Sequence, residues 1–247
     1  MSGAALEEIT EDRLLDDRVR LRQPAAGYRA AIDPVFLAAA VPDKAGRVLD
    51  LGCGVGTAAL CLLARLPEAR ATGLELQPHL AALARDNAAL NGWSERFNVV
   101  EGDLATSGLL PEGGFDEVIC NPPHHKAEMT AAPEAAKAKA THEESASLDD
   151  WVSAALRQAR PKGAVTFIHR ADRLGDLLAA LAGRAGGTVV FPLWPKAGAP
   201  ARRVLLRAIK GSRAPLTLAA GLVLHEDDGR FTAAAEEVLR GGAGLAL

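Results

Sequence analysis

The chain has 247 residues, of which 49% are hydrophobic and 24% charged, and its formal net charge is −3 at pH 7. This balance excludes a globally basic polyanion binder, so any nucleic-acid surface must be a local patch. The three cysteines, Cys53, Cys61 and Cys120, form no C-x-x-C pair, which argues against a disulfide framework and against a metal site. No signal pattern or apolar run of about 18 residues is present, so we expect a cytoplasmic protein.

The first 45 residues predict an N-terminal extension that packs on a core domain covering residues 46–247. Residues 1–17 are expected to form a solvated start. Residues 18–23 alternate basic and apolar side chains, which suits a short strand. Residues 32–42 predict a helix that Asp33 caps, with Pro34 at its first position.

From residue 47 onward, strand and helix patterns alternate. The predicted strands cover residues 47–52, 71–76, 97–103, 115–120, 163–170, 187–194 and 202–209, and the predicted helices cover 56–66, 78–91, 148–160, 173–184 and 232–240. This order is typical of an α/β protein with a mainly parallel sheet and helices on both faces. A short connection between the last two strands predicts a hairpin, so the last strand should be antiparallel. The long segment 124–142 favours a functional lid.

The stretch VLDLGCGVGT, residues 48–57, is the clearest cofactor signal. Gly52, Gly54 and Gly56 follow a strand and precede a helix, where glycine permits a tight turn and close approach of a ligand. A dinucleotide fingerprint would require glycine at position 57, which is Thr57. The carboxylate of Asp50 would also repel a pyrophosphate. A cationic cofactor such as S-adenosylmethionine fits better, because it carries an amine and a sulfonium.

Two further acidic residues lie at the ends of the next two predicted strands. Glu75 could accept hydrogen bonds from ribose hydroxyls, and Asp103 could accept one from an adenine amino group. Together with Asp50 they would lie at one sheet edge, which is the ligand-binding position of open α/β sheets. The alternative is an ordinary strand-to-helix turn with solvated acids at the strand ends.

The predicted strand 115–120 runs directly into Asn121, Pro122, Pro123 and His124. An exocyclic amine conjugated to a ring is a poor nucleophile, because its lone pair is delocalised. The side-chain oxygen of Asn121 and the carbonyl of Pro122 could accept its two hydrogens and aim the lone pair at a methyl group. Catalysis would then consist of alignment and electrostatics for an in-line displacement. A metal site at the two histidines, His124 and His125, has no third ligand nearby in sequence.

The tetrapeptide NPPH resembles the Asn-Pro-Pro-aromatic motif of class I methyltransferases that act on planar amines. The stretches QPAAGYRAAIDPVFLAAAVP, ATHEE and RRVLLRAIKGSRAPLTLAAGLVLHEDDGRFTAAAEEVLRG resemble bacterial tRNA1(Val) adenine-37 N6-methyltransferases, so the similarity covers nearly the whole chain. It implies a Rossmann-like seven-stranded fold, the cofactor S-adenosylmethionine and a tRNA substrate. The implied catalytic residues are Asn121, Pro122, Pro123 and His124, and the implied cofactor residues are Asp50, Gly52, Cys53, Gly54, Gly56, Glu75, Leu76, Asp103, Leu104 and Asn121.

The chain departs from the family motif at His124, where an aromatic ring usually stacks on the target base. An imidazole can stack with less area, or the neighbouring His125 could share the task. His142 and Glu143, in the ATHEE stretch, could close the lid over substrate or simply open a helix. These alternatives stay open at the level of sequence.

A run of basic residues between positions 196 and 213 contains no acid. Contact with RNA phosphates is one interpretation, and a charged edge strand that resists aggregation is the other. The candidate RNA-binding residues are Arg202, Arg203, Arg207 and Lys210, which Arg18, Arg20, Arg22 and Arg29 could extend.

The favoured function is methylation of adenine N6 in tRNA. Guanine N2 in rRNA and a protein glutamine side chain are alternative acceptors for the same chemistry. A protein that binds S-adenosylmethionine without transferring its methyl group is the alternative from another class.

Overall fold

The computed structural model describes residues 8–25, 32–123 and 146–247. Within these ranges the chain forms a nine-stranded sheet, a separate two-stranded sheet and six α-helices. The strands are β1 (Ile9–Leu14), β2 (Val19–Pro24), β3 (Arg47–Leu51), β4 (Arg70–Glu75), β5 (Phe97–Glu101), β6 (Phe115–Cys120), β7 (Ala159–Arg170), β8 (Ala185–Trp194), β9 (Arg203–Lys210), β10 (Thr217–Leu218) and β11 (Leu222–Val223). The helices are α1 (Asp33–Ala39), α2 (Thr57–Arg65), α3 (Pro78–Leu90), α4 (Leu148–Gln158), α5 (Leu174–Leu181) and α6 (Ala233–Leu239).

The large sheet has the strand order β10-β8-β9-β7-β6-β3-β4-β5, and β11 pairs with β8. Strands β5, β4, β3, β6 and β7 are parallel neighbours, whereas β9 runs antiparallel between β7 and β8. The order reverses at β3, because β4 and β5 extend to one side and β6 and β7 to the other. Such a topological switch point opens a crevice at the carboxyl ends of the strands. The predicted α/β fold with an antiparallel last long strand is confirmed, and β10 and β11 extend it.

Two hydrophobic clusters cover the two faces of the large sheet. Helices α1, α2, α3 and α6 contribute to one cluster, together with sheet residues such as Val48 and Ile119. Helices α4 and α5 contribute to the other, together with Leu49 and Val118. Adjacent strand residues therefore point to opposite faces, as the pleat requires. The predicted placement of helices on both faces is confirmed.

The N-terminal region differs from the expected solvated start, because residues 9–14 form strand β1. This strand pairs with β2 in an antiparallel register that runs from Ile9↔Pro24 to Leu14↔Val19. Val19 and Leu21 of β2 are buried in the first cluster, so β2 anchors the hairpin on the core and β1 pairs with it. The boundary between an extension ending at residue 45 and the core domain stays a prediction.

Several predicted helix details are wrong. Helix α1 ends at Ala39 rather than at residue 42, and α5 ends at Leu181 rather than at residue 184. Asp33 does not cap α1, since Ile32 occupies the cap position and the Asp33 carboxylate instead accepts a hydrogen bond from Arg203 Nε at 2.8 Å. Helix α4 ends at Gln158, two residues before the predicted end, and β7 begins at once. Pro161 explains this boundary, because a proline disfavours helical geometry in the residue before it, here Arg160, so the helix must end earlier. Ser147 caps the start of α4 in a capping box with Asp150.

All three cysteines are free thiols and are buried. Burial raises the pKa of Cys61 to about 12 and raises the pKa of Cys53 and Cys120 well above the ordinary value. None of the helices within the described ranges combines the length and the apolar character that crossing a membrane requires.

Candidate active site

The strand ends that carry the candidate residues lie at one edge of the sheet. Leu51 of β3 pairs with both Leu74 of β4 and Cys120 of β6. The carboxyl ends of these three strands therefore lie at the same level of the sheet. Glu75 pairs in turn with Glu101 of β5. The glycine loop, residues 52–56, therefore stands directly between Glu75 on one side and Asn121 on the other, at the switch point.

The glycine loop needs its glycines for two different reasons. Gly52, Gly54 and Gly56 all have positive φ angles, at 72°, 55° and 87°, a region that disfavours other residues. A Cβ on Gly52 would lie 2.4 Å from Cη2 of Trp151, and one on Gly56 would lie 2.7 Å from Cε1 of Phe97. A Cβ on Gly54 would meet no atom within 4 Å. Gly52 and Gly56 thus serve packing, whereas Gly54 faces open space where a ligand can approach.

Asp50 is buried beneath the glycine loop. Its Oδ2 accepts a hydrogen bond from the Ala59 backbone N–H at 3.2 Å, in the first turn of α2. Burial raises the pKa of Asp50 to about 7, and the nearby negative charge of Glu75 adds to this, although the hydrogen bond from Ala59 opposes it. The carboxylate therefore fixes the start of α2 relative to β3, while its charge responds to pH near neutrality.

Glu75 spans the glycine loop and the loop that follows β4. Its Oε2 accepts a hydrogen bond from Gly54 N–H at 2.7 Å, and its Oε1 accepts one from Gln77 N–H at 3.0 Å. Each carboxylate oxygen has a second lone pair that can accept a further hydrogen bond. Glu75 can therefore hold the loop and accept hydroxyl groups of a ligand at the same time.

Asp103 lies two residues beyond the end of β5 and is half-buried. Its Oδ1 accepts a hydrogen bond from Ala105 N–H at 2.8 Å, which orients the carboxylate at the strand end. Leu76 and Leu104 each follow one of the acidic residues and are half-buried, and Leu104 packs against the second cluster. These two side chains can supply apolar contacts beside the acids, and their predicted roles stay predictions.

Three of the four predicted catalytic residues lie within the described ranges. Asn121 is half-buried, Pro122 is buried and Pro123 is exposed, so the segment emerges from the sheet within three residues. Asn121 leaves β6 next to the position where Gly52 leaves β3, since Cys120 and Leu51 are paired. The backbone of this segment therefore begins beside the glycine loop, and the catalytic roles of its residues stay predictions. His124 lies outside the described residues, as do His125, His142, Glu143 and the rest of segment 124–142.

Trp151 is a site residue that sequence reasoning missed. It lies in the first turn of α4, and the capping box of Ser147 and Asp150 fixes where that helix begins. Its six-membered ring faces Gly52, and the side chain is half-buried. The signal available in the sequence was the scarcity of aromatic residues, which make up 4% of the chain, combined with a tryptophan in a polar first turn.

Three of the four predicted RNA-binding cations have partners within the chain. Arg203 pairs with Asp33, and Arg207 Nη2 lies 2.9 Å from Oε2 of the buried Glu117. Lys210 Nζ donates to the carbonyl of Ala159 at 2.8 Å. Arg202 is exposed, and within the described part of the chain its side chain has no polar partner. Its role in binding RNA stays a prediction, as do those of the other three.

Three of the four candidate arginines near the N-terminus also have intramolecular partners. Arg20 and Arg22 both pair with Glu11 across the hairpin, and Arg18 Nε donates to the Leu15 carbonyl at 2.9 Å. Arg29 lies outside the described residues. An extension of a basic surface through these residues stays a prediction.

Comparison with known proteins identifies relatives over most of the chain. Residues 32–145 match the family described as the methyltransferase small domain. A tRNA1(Val) (adenine(37)-N6)-methyltransferase from Porphyromonas gingivalis is 37% identical over an alignment of 163 residues, which covers 63% of this chain and 64% of that protein. The protein of the same name from Aeromonas hydrophila is 31% identical over 207 residues, covering 83% of this chain and 85% of its own length.

A solved structure of a predicted O-methyltransferase from Agrobacterium tumefaciens is similar in both sequence and fold. It is 31% identical, with a TM-score of 0.74, over 87% of this chain and 99% of that one. The Aeromonas relative, the family match and the similar fold all indicate a methyltransferase. The chain therefore has the class I methyltransferase fold and belongs to the family of the tRNA1(Val) (adenine(37)-N6)-methyltransferases.

Proposed function

We propose that the chain transfers a methyl group from S-adenosylmethionine to N6 of an adenine in tRNA. The observation that carries this proposal is the placement of Asn121 beside the glycine loop at the switch point of the sheet. The names of the Porphyromonas and Aeromonas relatives specify adenine 37 of tRNA1(Val), and we extend that substrate to this chain. A tRNA substrate in turn implies action in the cytoplasm.

The chemistry of the site fits S-adenosylmethionine. The open space over Gly54 leaves room for a ligand against the loop backbone, and the carboxylate of Glu75, which binds Gly54 N–H, lies where ribose hydroxyls could donate to it. Asp103 would accept a hydrogen bond from the adenine amino group of the cofactor. When bound, S-adenosylmethionine supplies an electrophilic methyl group on a sulfonium centre. A pyrophosphate would instead approach the carboxylate of Glu75, whose negative charge disfavours it.

Asn121 and Pro122 would prepare the acceptor amine. The side-chain oxygen of Asn121 and the backbone carbonyl of Pro122 would each accept a hydrogen bond from one N–H group of the amine. These two bonds would localise the amine lone pair on nitrogen. Pro122 has no N–H, and Pro123 restricts it to extended geometry, so the direction of the Pro122 carbonyl is limited before substrate arrives. Binding and alignment of this kind lower the barrier without a covalent intermediate on the protein.

A second candidate acceptor is a hydroxyl group, because the similar Agrobacterium structure is named a predicted O-methyltransferase. A hydroxyl has one proton to offer, so it would use only one of two adjacent hydrogen-bond acceptors. An NH2 group uses both, and the Asn-Pro-Pro segment provides two in consecutive residues. This match favours an amine, and adenine N6, guanine N2 and a glutamine amide all satisfy it.

The experiment that tests the proposal uses methyl-labelled S-adenosylmethionine with separated tRNA, rRNA and protein fractions, followed by nucleoside analysis. We expect label in N6-methyladenosine from the tRNA fraction, and no transfer by the matched variant Asn121→Ala. Label in methylguanosine, in a 2′-O-methylated nucleoside or in protein would replace the proposed acceptor. Cofactor binding without transfer to any fraction would make the chain a binding protein.

A further inference from the structure

Two asparagines of α3 hold the N-terminal hairpin by imitating the edge of a strand. Asn87 Oδ1 accepts from Arg22 N–H at 2.8 Å, and its Nδ2 donates to Arg22 O at 2.9 Å. Asn91 repeats this pattern with Arg20, at 2.8 Å and 2.7 Å. The two repeats match in length, because four residues of helix advance about 6 Å and two residues of strand about 6.8 Å.

Asn87 differs from Asn91 in one contact. Its Nδ2 also donates to the carbonyl of Val55 at 3.0 Å, whereas Nδ2 of Asn91 donates its second hydrogen bond to the carbonyl of Asn87 within α3. Asn87 is fully buried, so all three of its hydrogen bonds form away from water. One carboxamide thus joins the backbone of β2 to the backbone of the glycine loop.

The contacted carbonyl lies in the part of the loop that two glycines flank. Val55 stands between Gly54 and Gly56, and both glycines have positive φ and no side chain to restrict them. Backbone hydrogen bonds hold the first part of the loop, from Gly52 and Cys53 N–H to Leu74 O, and Gly56 N–H donates to Cys53 O. Two side chains add contacts at the glycine-flanked part, since Glu75 accepts from Gly54 N–H and Asn87 donates to Val55 O. Loss of either contact would give the segment conformations that it must leave again before it binds a ligand.

We propose that Asn87 is a positioning residue for the cofactor loop, and that it couples cofactor binding to the order of the hairpin β1–β2. This inference rests on the proposed function, since it assigns S-adenosylmethionine to the loop. A ligand that fixes residues 52–56 also fixes the acceptor of Asn87 and, through it, Arg22. Such coupling is reciprocal, so an ordered hairpin tightens cofactor binding and a bound cofactor steadies the hairpin.

The first test measures the dissociation constant of S-adenosylmethionine by calorimetry for the parent, Asn87→Ala and Asn91→Ala. Each variant loses two hydrogen bonds to β2, but only Asn87→Ala loses the contact with Val55. We expect about tenfold weaker binding for Asn87→Ala, from one buried carbonyl left without a donor, and a change within about twofold for Asn91→Ala. Equal losses in both variants, or a loss in neither, would overturn the inference.

The second test needs no substitution, so it stands even where Asn87→Ala does not fold. Amide hydrogen exchange of the parent is measured with and without saturating S-adenosylmethionine. We expect slower exchange of the Arg22 amide on binding, by about threefold or more, and a smaller change at the Arg20 amide. If the exchange rate of the Arg22 amide does not change when the cofactor binds, the coupling is refuted and the proposed methyl transfer is unaffected. A parent that does not bind the cofactor would instead overturn the proposed function, and the coupling with it.

Discussion

The carboxyl ends of β3, β4 and β6 bring their polar residues to one edge, whereas the cations of β9 are spread along the whole strand. Arg203 pairs in register with Arg170 at the carboxyl end of β7, on the same edge as the glycine loop. Lys210 pairs with Ala185 at the start of β8, on the opposite edge. Seven residues of strand separate the two by roughly 24 Å.

The difference lies in how each region satisfies its charges. At the glycine loop, the carboxylates of Asp50 and Glu75 accept hydrogen bonds from the backbone N–H groups of Ala59, Gly54 and Gln77, so they shape the loop itself. On β9, Arg203 and Arg207 are matched by the carboxylates of Asp33 and Glu117. A run of like charges is therefore a weaker sign of a ligand site than acids held by backbone donors at a switch point.

Arg207→Met tests the structural role of a β9 cation and carries the largest expected effect. Glu117 is 2% exposed, and without Arg207 its carboxylate would stay buried without a counter-ion. We expect the free energy of unfolding to fall by about 3–5 kcal/mol in urea titrations. The double variant with Glu117→Gln removes the buried charge and still accepts from Thr166, so it should regain most of the loss. A fully stable Arg207→Met would sink this role.

Gly52→Ala and Gly54→Ala separate packing from ligand approach within the glycine loop. Both need a positive φ, which costs about 1–2 kcal/mol for alanine. Only Gly52→Ala adds an overlap with Trp151, so we expect it to lose more stability in thermal unfolding. Gly54→Ala should lose mainly affinity for S-adenosylmethionine, because its Cβ enters the open space. The reverse ranking of the two variants in stability and binding would contradict this assignment.

The raised pKa of Asp50 predicts how the stability of the folded protein depends on pH. Its pKa of about 7 in the folded state lies above the ordinary 3.8, so the folded protein keeps a proton that the unfolded chain has lost. Stability should therefore fall as pH rises toward 7 and level off above it, with a loss of about 1 kcal/mol between pH 6 and 7. Asp50→Asn can still accept from Ala59 and should lack this loss. An identical pH profile for both proteins would be incompatible with the raised pKa.

Arg202→Ala carries the smallest expected effect, because it would remove a single phosphate contact. We expect a severalfold rise in KM for tRNA, a slope of affinity against salt that is shallower by about one, and unchanged stability. Lys44→Ala is the matched control, since Lys44 is an exposed cation just before the amino end of β3, at the opposite edge. Equal effects of the two substitutions would show that Arg202 contributes only general charge.

The sequence predicted that the glycine loop, Glu75 and Asn121 share one sheet edge, because parallel strands end at a common edge and their order can be read along the chain. It missed the partners of β9, because Asp33 and Glu117 are 170 and 90 residues away and only tertiary structure brings them together. Strand β1 was missed because its stability comes from pairing with β2 rather than from its own acidic sequence. Asn87 and Trp151 were missed because each acts on a loop that is distant in the chain.

The proposed methyl transfer depends most directly on Asn121, and one pair of measurements on a single variant tests this role. Single-turnover transfer to tRNA and the dissociation constant of S-adenosylmethionine are measured for the parent and for Asn121→Ala. We expect the rate of transfer to fall by at least about 100-fold, while cofactor affinity stays within about twofold of the parent. A variant that transfers methyl at a rate comparable to the parent would contradict the central claim that this amide aligns the acceptor amine.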